Sequence, residues 1–179
     1  MNNCRLQFLL RKNAGKRYMA EYLTELSELI TNNKFKILNH EDSDVISKSI
    51  IDNHEKFLSK MDYWECSNVF FTQKEILKGI ITKIQLIYSD PVYMSIGYSN
   101  MCELAMIERI SFFNSDFEFN DEHSGLIVLY DKNAINKLVI DFYEEDRMLF
   151  YDLQLFGEQW VKCREKYVTS FLVFVCEEY

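Results

Sequence analysis

Any chemistry in this chain has to come from three histidines, five cysteines or a large stock of carboxylates. His40 lies in Asn39-His40-Glu41-Asp42-Ser43-Asp44, where an imidazole and acids come close enough to suggest a metal. The spacing matches no ligand loop, and oxygen-rich stretches ahead of helices commonly serve as caps. Asp121-Glu122-His123 is a second such cluster and reads as an exposed loop. His54 falls among apolar residues at helical spacing and reads as a satisfied core or boundary residue rather than a ligand. Cys4, Cys66, Cys102, Cys163 and Cys176 are odd in number and form no CxxC or zinc pattern. They read as reduced thiols of a cytoplasmic protein, mostly buried. A Cys–His nucleophile pair would need two residues with no local signature to meet in space.

The five glycines, at 15, 79, 97, 125 and 157, assemble no GxGxxG, GxxxxGK[ST] or GxSxG, and HExxH is also absent. Together with a single proline, that scarcity argues against phosphate loops built from glycine. The expectation is a protein that is not an enzyme and needs no cofactor or metal. Two alternatives stay open. One is a small enzyme using carboxylates or a Cys–His pair. The other is a regulatory or scaffolding module, including a mimic of nucleic acid.

Charge points to a kind of partner. The 179 residues carry 20 Lys and Arg against 28 Asp and Glu, a net of −8. Such a balance opposes direct binding to nucleic acid, whose phosphates are held by released counterions. It equally disfavours an anionic membrane. No signal peptide is visible, and no apolar run is long enough to span a bilayer, which suggests a cytoplasmic protein. The charge is also uneven. Residues 116–158 hold eleven acids against Lys132, Lys137 and Arg147, a local net of −8. Residues 1–17 hold five bases and no acid. Such asymmetry marks interaction surfaces rather than a fold.

Within the acidic stretch, acids alternate with aromatic residues. Asp116-Phe117-Glu118-Phe119-Asn120-Asp121-Glu122 is one run, and Asp141-Phe142-Tyr143-Glu144-Glu145-Asp146 is another. Phe150-Tyr151-Asp152 follows closely. On a strand, alternation sends Phe117 and Phe119 to one face and Asp116 and Glu118 to the other. The plain reading is a sheet with a buried aromatic side and a wet acidic side. The functional reading is a docking surface in which acids steer a basic protein and aromatics anchor it. The candidate contacts are Asp116, Glu118, Asp121, Glu122, Asp141, Tyr143, Glu144, Glu145, Asp146, Tyr151 and Asp152.

The elements that must position these residues divide at about residue 110. Tyr18, Met19, Tyr22, Leu23, Leu26, Leu29 and Ile30 recur at helical spacing, with Glu21, Glu25 and Glu28 opposite. A second helix is expected from an Asp42 or Ser43 cap, with Ile46, Ile50, Phe57, Leu58 and Met61 as its stripe. A third opens on Thr72-Gln73-Lys74-Glu75, the spacing of a capping box, and ends at Asp90-Pro91. A short fourth helix fits 100–110. Beyond it, Leu126–Tyr130 reads as a buried strand. Residues 137–143 and 148–156 read as a hairpin turning at Glu144-Glu145-Asp146-Arg147. Ile135, Leu138, Val139 and Phe142 also fit a helix over 133–145, and the β-branched and aromatic content favours the strand. Residues 157–167 read as a loop or short helix and 168–176 as a last strand. The expected fold is α+β in one domain over 1–179, with helices in about 1–110 packed on a mostly antiparallel sheet in about 111–179.

A small acidic chain with these two acid–aromatic runs and no catalytic motif resembles bacterial immunity proteins of contact-dependent growth inhibition systems. The resemblance is one of composition over the whole chain. It implies an antitoxin that binds one cognate basic toxin, such as a nuclease attacking tRNA or DNA, and occludes its active site. It also leaves room for a larger assembly that includes a translation factor.

Overall fold

The computed structural model describes residues 2–58, 62–119 and 125–164. In chain order the elements are helix α1 (Asn2–Leu29), strand β1 (Phe35–Ile37), α2 (His40–Leu58), β2 (Tyr63–Phe70) and α3 (Glu75–Ile87). Then come β3 (Val92–Ser95), α4 (Ser99–Cys102), β4 (Ala105–Ile107), β5 (Leu126–Tyr130), β6 (Lys137–Glu145), β7 (Met148–Phe156) and α5 (Glu158–Val161). The fold is α+β. Seven strands form one sheet in the order β1-β4-β3-β5-β6-β7-β2, and every pairing is antiparallel.

Strand alternation gives this sheet two unlike faces. Met94, Leu129, Leu138 and Leu155 lie in one register row, and Ile127, Ile140 and Leu153 in the next. All are buried, and they share a cluster with Tyr22 and Leu26 of α1 and Leu77, Ile80 and Ile84 of α3. This inner face is the core. Burying each such side chain is worth about 1.5–3 kcal/mol, so the apolar rows set the register and hold α1 and α3 down.

Several elements differ from the sequence expectation. Four of the seven strands, β1 to β4, fall before residue 110, and the helix expected over 100–110 is a four-residue turn followed by β4. A bare propensity reading misses strands of three or four residues. Their pairing with distant strands stabilises them, as Phe35 opposite Ile107 illustrates. The cap of α2 is Asn39, whose Oδ1 accepts the Asp42 N–H at 2.8 Å. Helix α3 starts at Glu75, and its capping residue Lys74 makes no side-chain cap bond, so the capping box over 72–75 does not form. His54 is exposed rather than set in an apolar seam. Glu25, expected on the wet side of α1, is buried. The strand expected over 168–176 lies outside the described residues.

The β6–β7 hairpin follows the expectation closely. Its two loop residues, Asp146 and Arg147, both have positive φ (51° and 65°). That is the pair of left-handed conformations a two-residue hairpin turn requires. At the other end of β6, the buried Asp131 carboxylate shapes the turn after β5. It accepts the N–H groups of Ile135 and Asn136 at 2.7 and 3.1 Å and the Asn136 side-chain amide at 2.8 Å. Gly157 seals the same corner. Its φ is +89°, and a Cβ there would lie 2.4 Å from Asn136 Oδ1.

Candidate functional site: the outer face of the sheet

The outer face is built from the alternate residues of the same strands. One row runs Tyr93, Tyr130, Lys137, Phe156, Tyr63, and the next runs Ser95, Val128, Val139, Gln154, Glu65. A third places Leu126, Asp141 and Asp152 side by side, and a fourth Tyr143, Phe150 and Phe70. Helix α2 flanks the β3–β5 end of this face, where Ser47 and Ile50 line a cavity of about 390 Å³ with Ser95 and Tyr130. Over β6, β7 and β2 the outward side chains are all exposed or half-buried, whereas the inward ones of β6 and β7 are largely buried.

Asp141 and Asp152 are direct cross-strand partners. Like charges in that position repel, by some tenths of a kcal/mol. Burial and the neighbouring Asp152 both push the Asp141 carboxyl upward from its ordinary pKa, burial foremost. Neither carboxylate has an ion pair among the described residues. Asp152 is instead fixed by hydrogen bonds. Strand β2 carries an irregularity between Cys66 and Val69, with Asn68 at φ 58°. This bulge turns the Asn68 N–H onto Asp152 Oδ1 at 2.8 Å. The Tyr143 hydroxyl lies 2.8 Å from Asn68 Oδ1 and 3.1 Å from Asp152 Oδ1.

A second acidic group sits one row away. Glu65 accepts hydrogen bonds from the Tyr63 hydroxyl, from Ser67 at 3.2 Å and from Gln154 at 3.3 Å. The Tyr63 bond, the largest influence, holds its pKa below the ordinary carboxylate value. Burial, the Glu65 bond and nearby acids together push the Tyr63 phenol up to about 12. Aromatic rings frame the acids. Tyr143 stacks on Phe150 with centroids 5.8 Å apart, and Phe70 lies 4.9 Å from Phe150. Tyr63 meets Phe156 at 4.8 Å, and the Lys137 ammonium sits 4.0 Å above the Phe156 ring.

The structure sorts the eleven candidate contacts. Asp141, Tyr143, Glu145 and Asp152 project together from the outer face, and Glu144 and Asp146 are exposed at its hairpin end. Tyr151 does not belong with them. It is 1% exposed on the inner face, and its hydroxyl donates to the Gln73 carbonyl at 2.6 Å. Alternation along β7 places Phe150 and Asp152 outward and Tyr151 inward. Asp116 and Glu118 are also elsewhere. Phe117 is buried against the inward Phe142, so this segment lies on the helix side of the sheet. There Asp116 pairs with Lys78 of α3 at 2.8 Å. Asp121 and Glu122 lie outside the described residues.

Sequence reasoning missed Tyr63, Glu65, Asn68 and Phe70 because it missed β2. The signal was present in Tyr63-Trp64-Glu65-Cys66 and Val69-Phe70, a β-prone aromatic run following the α2 pattern.

Another ionic cluster lies at the α2 end of the sheet, where Arg11 and Asp44 line the same cavity as Ser95 and Tyr130. Glu103, 5% exposed, holds Arg11 of α1 through both carboxylate oxygens and contacts His40 Nδ1 at the start of α2. Arg11 also pairs with Asp44. The Glu103 backbone has φ 78° and ψ 168°, a conformation strained for any side chain but glycine. Its carbonyl accepts the buried Tyr22 hydroxyl at 2.6 Å. These bonds tie α1, α2 and α4 together. Arg11, read from sequence as one of several bases available to a partner, is committed inside the fold.

Set beside known proteins, the chain matches no family model, no curated protein and no solved structure. No helix among the described residues is long and apolar enough to cross a membrane.

Proposed function

We propose that this protein is an immunity protein that neutralises a cognate toxin. The outer face of β6, β7 and β2 takes a basic domain of that toxin, in keeping with a nuclease acting on tRNA or DNA. One observation carries the reading. Asp141 and Asp152 face each other without a cation among the described residues, inside a frame of tyrosine and phenylalanine. An arginine or lysine from a partner relieves that repulsion, and the rings supply the apolar anchoring that hot spots require. A nuclease must be basic where it grips phosphate, so carboxylates set on a rigid sheet can take the place of phosphates. The compositional resemblance to immunity proteins of contact-dependent growth inhibition points the same way.

Calorimetric titration against the toxin domain encoded by the adjacent gene tests the reading. The expected result is a one-to-one complex that weakens as salt rises. Absence of any complex at both low and moderate salt sinks it. Should a complex form and tolerate charge reversal at Asp141, Asp152 and Glu145 together, the docking face lies elsewhere.

A further inference from the structure

Helix α1 packs on the core through Gly15, Tyr22, Leu26 and Leu29, and through Arg11 onto Glu103. At helical spacing its opposite side carries Leu6, Leu9 and Leu10, followed by Lys16 and Arg17. The three leucines are 55%, 46% and 60% exposed, and Lys16 and Arg17 are exposed as well. No ion pair engages either base among the described residues. An apolar stripe turned to solvent beside free bases marks an interaction site.

The surface that complements it is on this same chain. The outer face of β6, β7 and β2 has the opposite charge in Asp141, Asp152 and Glu145, and exposed apolar groups in Phe70 and Met148. Leu6, Leu9 and Leu10 are exposed, so the stripe is not seated on the outer face of its own copy. We infer that the α1 stripe of one copy docks on the outer β6–β7–β2 face of a second copy. The two surfaces differ, so the contact is head-to-tail and propagates instead of closing at two copies. A stack of this kind masks the acidic face until a tighter partner displaces the neighbouring copy. An anionic membrane is the other surface such a stripe could meet, but a chain of net −8 is repelled by one.

Sedimentation of the full chain alone tests this, so its failure is separate from failure of toxin binding. At low salt the average mass is expected to climb with concentration beyond that of a pair. Raising salt to about 0.5 M, where screening is short-ranged, is expected to weaken association roughly tenfold. Two neutralised variants sharpen the test. L9S/K16Q/R17Q keeps the acidic face and loses the stripe, and D141N/D152N does the reverse. Each is expected to be monomeric alone, and the mixture to give a one-to-one pair and nothing larger. The wild-type concentration and salt dependence needs no variant to fold. A wild-type chain that stays monomeric at low salt overturns the inference, as does association that either variant leaves intact. Binding of the wild type to anionic vesicles without self-association also overturns it.

Discussion

Two groups of carboxylates in this molecule are handled in opposite ways. Glu103 is buried, and side chains from two helices meet it, the Arg11 guanidinium and the His40 imidazole. Asp141 and Asp152 stand on an open sheet and face each other, with hydrogen bonds to Asp152 and, among the described residues, no cation for either. Removing a buried carboxylate from water costs several kcal/mol, so it persists only where the fold supplies its partners. An exposed pair tolerates mild repulsion and keeps its charge available. The first arrangement holds helices together, and the second is the one proposed to meet a partner.

The comparison can be broken most sharply at Glu103. Glu103→Gln removes the negative charge that Arg11 is paired with and is expected to cost about 3 kcal/mol in urea unfolding. A loss under about 1 kcal/mol would mean that the cluster is not structural. Next comes the outer face. Asp141→Lys with Asp152→Lys is expected to weaken the proposed toxin binding by roughly a hundredfold, about 2.7 kcal/mol, mostly at low salt. The same pair should leave the unfolding midpoint near that of the wild type, in contrast to Glu103→Gln. Tyr22→Phe removes one buried donor from the Glu103 carbonyl and is expected to cost about 1 kcal/mol.

The smallest effect is the most diagnostic. Asp141→Asn relieves the cross-strand repulsion and is expected to raise stability by a few tenths of a kcal/mol at neutral pH. The sign follows from linkage. The folded-state pKa of Asp141 is raised, so the native state binds the proton more readily than the unfolded chain. Its penalty is full above the folded pKa and fades as pH falls toward the unfolded value. The advantage of the variant should therefore shrink in acid. Glu65 runs the other way. Its pKa is lowered, so its contribution is present above the unfolded pKa and is lost as pH falls through the folded one. Unfolding curves of wild type, D141N and E65Q across acidic pH separate the two.

Much of the second half was legible in sequence. Leu138, Ile140 and Phe142 alternate with Val139, Asp141 and Tyr143, and the structure sends the first set inward and the second outward. The hairpin turn was readable from its charged loop. The first half was less legible. The three-residue strands β1 and β4 have no pattern of their own, because pairing with each other and with β3 is what makes them strands. The α2 pattern was extended to Met61, which hid the start of β2 and with it Glu65, Tyr63 and the Asn68 bulge. The acid–aromatic runs pointed to the neighbourhood of Asp141 and Asp152, which the structure brings together on one face. They also swept in Tyr151 and Asp116, because proximity in sequence does not say which side of a sheet a residue occupies.

By itself the sequence determined the α+β class, the hairpin of β6 and β7, the lack of glycine-built phosphate loops and the concentration of acid in 116–158. These follow from residue type and period, which act over a few positions. Tertiary structure alone decided that Asp141 meets Asp152, that β2 completes the acidic face with Glu65, and that Arg11 is taken by Glu103. Those contacts join residues 11 to 92 positions apart, and only the packing of the core sets which of them come within reach.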